Sequence, residues 1–150
     1  MTDKLVIQSQ VAQKMAELLH EMTREEAPKF VRAFWEIIER QWATIDRLRI
    51  DKIYRVMRCM VKEGFVWLKT NNWAKDDVLR YVRILSKGPL SPTSQAGIIG
   101  HLSDIYVEEL QRTMEAPVSS QTDFFLKGDN PVDNHFSRSS LTSSRTTSPS

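Results

Sequence analysis

The 150-residue chain predicts an all-α fold, an antiparallel helical bundle or short α-solenoid of about five helices, followed by a disordered C-terminal tail. Three observations predict it. Apolar residues recur at three-to-four spacing in five successive stretches, capping and breaking residues separate those stretches, and no alternating strand pattern competes.

The first stretch, residues 4–22, carries Leu5, Val11, Met15, Leu18, Leu19 and Met22 on an amphipathic helix that Thr2 can cap. Thr23-Arg24-Glu25-Glu26 then has the form of a capping box, in which a hydroxyl and a carboxylate satisfy each other's free amides. The second helix follows, with Phe30, Val31, Phe34, Trp35, Ile37, Ile38 and Trp42 as a wide apolar face. Thr44 or Asp46 caps the third and longest helix, which runs to about Thr70 before turning at Asn71-Asn72. Its Ile50, Ile53, Tyr54, Met57, Met60, Val61, Gly64, Phe65 and Leu68 share one side, with Arg55, Arg58, Lys62 and Lys69 opposite. Asn72 is read as the cap of a fourth helix to about Ser86, with Val78, Leu79, Val82 and Leu85 inward and Lys87-Gly88-Pro89 stopping it. A fifth runs from about Ser94 to Met114 on Ile98, Ile99, Leu102, Ile105, Tyr106 and Leu110. Residues 1–116 therefore form the helical domain. From Pro117 onward 13 of 34 residues are Ser or Thr, too polar to offset the entropy of ordering, so 117–150 is read as a disordered tail.

Composition narrows the functional classes. A 41% hydrophobic and 27% charged chain with no long apolar run is expected to be neither membrane-spanning nor, from its early polar residues, led by a secretory signal, and an intracellular protein is expected. The single Cys59 cannot form an internal disulfide and reads as a buried thiol. Net charge is only +2, but between Arg47 and Lys62 six cations (Arg47, Arg49, Lys52, Arg55, Arg58, Lys62) face one acid, Asp51.

Catalytic chemistry needs reactive groups that converge, and the three histidines, His20, His101 and His135, carry no flanking nucleophile motif. Glu17 and His20 have the spacing of a di-iron helix pair, but no second such pair exists, and His101 with Asp104 reads as a surface pair. Gly97 and Gly100 make no phosphate-cradling loop. No catalytic centre, metal, cofactor or small-molecule substrate is expected. The basic front of the third helix is the candidate surface: Arg47, Arg49, Lys52, Arg55, Arg58, Lys62 and Lys69 can contact phosphates or carboxylates, with Trp42, Trp67 and Trp73 near for packing or stacking. Asp46 and Asp51 sit where the helix dipole favours negative charge. Arg47 has two readings, ligand contact or a clamp on the turn before the third helix, and Asp104 is a candidate internal partner for Arg47 or Arg49.

The run from Phe34 to Tyr54, with Ile45-Asp46-Arg47-Leu48-Arg49-Ile50-Asp51-Lys52 at its core, closely resembles the hallmark of the ribosomal RNA-processing protein 1 family, also called the nucleolar protein 52 family. Phe65 to Trp73 and Gly100 to Leu110 resemble it as well, so the likeness spans about residues 2–112. It implies a helical, non-enzymatic factor of the nucleus and nucleolus, needed for processing pre-ribosomal RNA in the large-subunit precursor. Large-subunit preribosomal proteins are the implied partners and pre-rRNA a further candidate, with Trp42, Asp46, Asp51, Trp73 and Asp104 in structural roles. Against the family pattern a shortened member is expected, lacking helices before Lys4, further helices after Leu110 and a long basic tail. The competing expectation is a helical protein–protein adaptor with no RNA role.

Overall fold

A computed structural model describes residues 2–117, with side chains from Ile7 onward; the predicted tail beyond Pro117 and His135 lie outside the described residues, as does the Thr2 side chain on which the proposed cap rests. Five α-helices follow one another: α1 (Thr2–Glu17), α2 (Glu26–Gln41), α3 (Arg47–Thr70), α4 (Lys75–Lys87) and α5 (Ala96–Glu115). Short 3-10 turns, Leu18–Glu21 and Trp42–Thr44, end α1 and α2. The fold is all-α, as the periodicity predicts, and no strand occurs among the described residues.

Side-chain pairs fix the arrangement. Ser9 meets Arg55 and Gln13 meets Glu63, while Tyr54 meets His101, Arg58 meets Glu109 and Lys69 meets Thr113. Numbers rise together on both sides of α3, so α1, α3 and α5 run parallel in one layer with α3 in the middle. Arg24 to Asp77 at one end and the approach of Glu39 to Lys87 at the other make α2 and α4 a second parallel layer. Consecutive helices reverse direction, yet each packs most closely on the next but one. That is the stacking of an α-solenoid, and it decides between the two architectures left open by the sequence.

The core lies between the layers, where Leu19, Val31, Phe34, Trp35, Ile38, Met57, Met60, Val61, Phe65, Leu68, Tyr81, Leu85, Ile98, Leu102 and Ile105 are buried. Three expected faces shift. On α1 and the 3-10 turn after it the side turned to α3 is Ala12, Ala16 and Leu19, while Val11 and Leu18 are exposed, because a central helix is approached most closely over small side chains. On α4 the buried positions are Asp77, Tyr81 and Leu85 rather than Leu79 and Val82, and on α2 Ile37 points outward. Asp77 displaces a hydrophobic residue because Arg24 reaches it through both Nε and Nη2, at 2.8 and 2.7 Å.

The helix ends follow local chemistry. Thr23 and Glu26 form the predicted reciprocal box, Thr23 N–H to Glu26 Oε2 at 3.2 Å and Glu26 N–H to Thr23 Oγ1 at 3.3 Å. Asp46, not Thr44, caps α3 by accepting the Arg49 amide at 3.0 Å; the Thr44 hydroxyl donates to the Gln41 carbonyl instead. Asn72 does not cap α4. It terminates α3 with φ 55°, and the bonds from Trp73 N–H to the Leu68 carbonyl and Asn72 N–H to the Lys69 carbonyl form a Schellman motif. Asparagine tolerates that left-handed conformation; Trp73 follows at φ 52°, packed against the core.

Candidate interaction surface

The start of α3 is a rigid corner. Trp42, at the end of the second layer's first helix, lies 6.1 Å from the Tyr54 ring, and Tyr54 stacks on His101 of α5 at 4.0 Å and 24°. A Cβ at Gly97 would come within 2.6 Å of Trp42 Cζ2, so a bare backbone lets the indole lie on α5. The aromatic chain ties α2, α3 and α5 together behind the corner, which places Trp42 in packing rather than in solvent. Trp42 is partly buried and Trp67 is buried. In front, Arg47, Leu48, Arg49, Asp51 and Lys52 all point outward, and Leu48 is 88% exposed, an apolar knob among cations.

The seven candidate cations divide by what they already touch. Arg58 Nη1 donates to buried Glu109 at 2.8 Å and Nη2 to Glu108 at 3.0 Å, so this guanidinium fastens α3 to α5. Lys69 donates to the Thr113 and Ala116 carbonyls, compensating the negative end of α5. Lys62 Nζ lies 3.6 Å from Glu63, and Arg49 pairs with its own helix cap, Asp46, at 3.4 Å. Among the described residues Arg55 meets the neutral Ser9 hydroxyl at 3.4 Å and no carboxylate. Among the described residues Arg47 and Lys52 have no ion pair. The clamp at the turn is therefore Asp46 with Arg49; among the described residues Arg47 has no such partner, and exposed Asp104 pairs with neither. The basic front is thus narrower than the sequence suggests and centres on Arg47, Lys52 and Arg55. The partners that neutralise Arg58, Glu108 and Glu109, sit side by side on the fifth helix, and that acidic pair is the available signal in the sequence.

Between α1 and α3 lies a polar network that sequence reasoning does not find. Glu63 is buried and accepts from Gln13 Nε2 at 2.8 Å, with His20 Nε2 at 2.7 Å. Burial opposes its ionisation, yet the bonds from His20 and Gln13, with Lys62 nearby, hold the carboxyl below its ordinary 4.5. His101 is shifted the same way: burial, aided by Arg58, depresses the imidazole below 6.5, against the Tyr54 carbonyl that accepts from Nε2 and the charge of Asp104. A folded-state value below the unfolded one contributes stability at high pH that is lost as pH falls. Stability should therefore fall as pH drops below 6.5 through His101 and again below 4.5 through Glu63. In urea titrations from about pH 7 to about pH 3, His101→Phe, which keeps the stack, is expected to flatten the first decline and leave the second.

No three His, Cys, Asp or Glu residues converge on a point able to hold a metal ion among the described residues, and none of the described helices is long and apolar enough to cross a membrane. Cys59 is half-buried, and burial pushes its thiol up, away from reactivity.

The family model of the nucleolar protein Nop52 matches residues 1–144. The chain belongs to this family. Among its relatives, the mouse (Mus musculus) ribosomal RNA processing protein 1 homolog B is 36% identical over 111 residues, covering 72% of this chain and 15% of that protein. The human (Homo sapiens) homolog A is 35% identical over 115 residues, 75% of this chain and 25% of that protein. The Caenorhabditis elegans homolog is 29% identical over 113 residues, covering 73% and 28%. The chain thus spans less than a third of the length of these Nop52-family relatives. The Ile45–Lys52 run resembles the hallmark of this same family, and in the fold it forms the exposed corner of α3.

Proposed function

We propose that this chain is a non-catalytic ribosome-biogenesis factor of the nucleolus that works by binding, in pre-rRNA processing on the large-subunit precursor. Relatives named for ribosomal RNA processing align with most of this chain, which supports the setting. The observation that carries the mechanism is the α3 corner: Arg47, Lys52 and Arg55, with no carboxylate partner among the described residues, on a helix braced from behind by Trp42, Tyr54 and His101. A rigid array of uncompensated cations suits a phosphate backbone, because no side chain must first be released from an internal ion pair. Large-subunit preribosomal proteins are the other partners on this reading.

A charge-reversal variant, Arg47→Glu/Lys52→Glu/Arg55→Glu, tests it without touching the Arg58 link. Filter binding of precursor RNA over a salt series should show affinity reduced about tenfold or more and a log–log salt slope shallower by about 2, as expected for three lost phosphate contacts. Unchanged affinity and slope would remove RNA from the proposal. The adaptor reading is favoured by the exposed apolar stripe Ile7 and Val11 on α1 with Leu18 just after it, and by Val107 and Met114 on α5. On that reading, charge reversal leaves RNA retention unaltered.

A further inference from the structure

The second layer carries a groove that the α3 corner does not explain. Between α2 and α4 lies a cleft of about 490 Å³ with Pro28, Trp35 and Ile84 among its walls. Its rims are charged: Lys29 and Arg32 on α2, and Arg80, Arg83 and Lys87 on α4. Arg32 is taken up by Glu36 at 3.0 Å, and Glu39 accepts from the Ser94 hydroxyl at 2.9 Å. Lys29, Arg80, Arg83 and Lys87 have no ion pair among the described residues. The three on α4 are spaced three and four apart, so they lie along one line about 10 Å long.

We infer that this groove docks an acidic segment of a protein partner that inserts one large apolar side chain between the helices. The walls decide against RNA. A nucleobase needs an aromatic face to stack on, and Trp35 is only 1% exposed, sunk into the floor rather than offered to solvent. A phosphate chain has nothing apolar to place against Pro28 and Ile84. An acidic peptide satisfies both features: its carboxylates follow the Arg80–Arg83–Lys87 line while an anchor such as Phe or Leu fills the cleft. Apolar anchors in pockets ringed by complementary charge are the usual centre of peptide recognition.

The test uses the full chain and a fluorescein-labelled peptide with one Phe between two runs of glutamate, followed by anisotropy. Saturable binding is expected, weakened about tenfold when the Phe becomes Ser, and by a similar factor in Arg80→Glu/Arg83→Glu and, separately, in Lys29→Glu. These are surface positions, and an unchanged helical circular dichroism spectrum confirms the fold. Arg47→Glu/Lys52→Glu should bind the peptide as the parent does, which separates this groove from the α3 corner. Failure to bind the Phe peptide, equal binding of the Ser peptide, or indifference to the groove variants overturns the inference. So does an oligouridylate whose binding, rather than the peptide's, is lost in Arg80→Glu/Arg83→Glu.

Discussion

Gly64→Val is expected to lower the unfolding free energy by about 3 kcal/mol, the cost of forcing a branched side chain into a filled helix crossing. A Cβ at Gly64 would stand 2.5 Å from Tyr81 Oη and 2.7 Å from its Cε2. The ring cannot swing away, since Tyr81 is buried and packed on Phe65 at 5.7 Å. In an open helix the change from glycine would bring up to about 1 kcal/mol through propensity, so a net loss isolates the steric term. Tyr81→Phe is the informative companion. The phenolic oxygen is buried without a hydrogen-bond partner among the described residues, so removing it should leave stability unchanged or slightly higher. Because Oη is also the closest atom to the missing Cβ, Gly64→Ala should cost less in the Tyr81→Phe background than alone, and urea unfolding of the four proteins gives that coupling directly.

Arg58→Ala is expected to cost about 2 kcal/mol, although Arg58 stands on the basic face where an RNA contact would be sought. It leaves Glu109, 4% exposed, with only Arg112 at 3.6 Å. Breaking a fully buried pair costs more, and the figure is reduced because the Arg58 side chain is 39% exposed and screened by water. Arg58→Met/Glu109→Leu should recover most of the loss, because both charges leave together and the space between α3 and α5 is refilled. Reduced RNA retention by Arg58→Ala alone would therefore report loosening of the stack, which is why the corner cations are the cleaner probe.

These two sites show what the sequence could and could not convey. The five helices, the Thr23–Glu26 box and the Asp46 cap were legible, because periodicity and capping are local properties of consecutive residues. The parallel stacking of alternate helices was not, since short connections predict reversal but not which faces meet. Gly64 read as one apolar-side position among several; only Tyr81, 17 residues on, makes its missing side chain necessary. Arg58 and Lys69 looked like free cations because their partners are on α5, some 50 residues away in the chain. Buried Glu63 and Asp77 were passed over for the same reason: a charge enters a core only when a distant partner, here His20 with Gln13 or Arg24, meets it there. The groove cations needed two helices set side by side before they formed a surface. Local pattern thus named the family and the elements, while the division of cations into structural and available ones required the fold.

The central claim is that the chain acts by binding to precursors of the large ribosomal subunit. It is tested most directly by purifying the tagged chain from growing cells and sequencing the RNA that accompanies it. Enrichment of large-subunit precursor RNA over small-subunit precursor, reduced in Arg47→Glu/Lys52→Glu/Arg55→Glu, is the predicted result. Recovery of the folded chain with no enrichment of precursor RNA, or with small-subunit precursor alone, would contradict it.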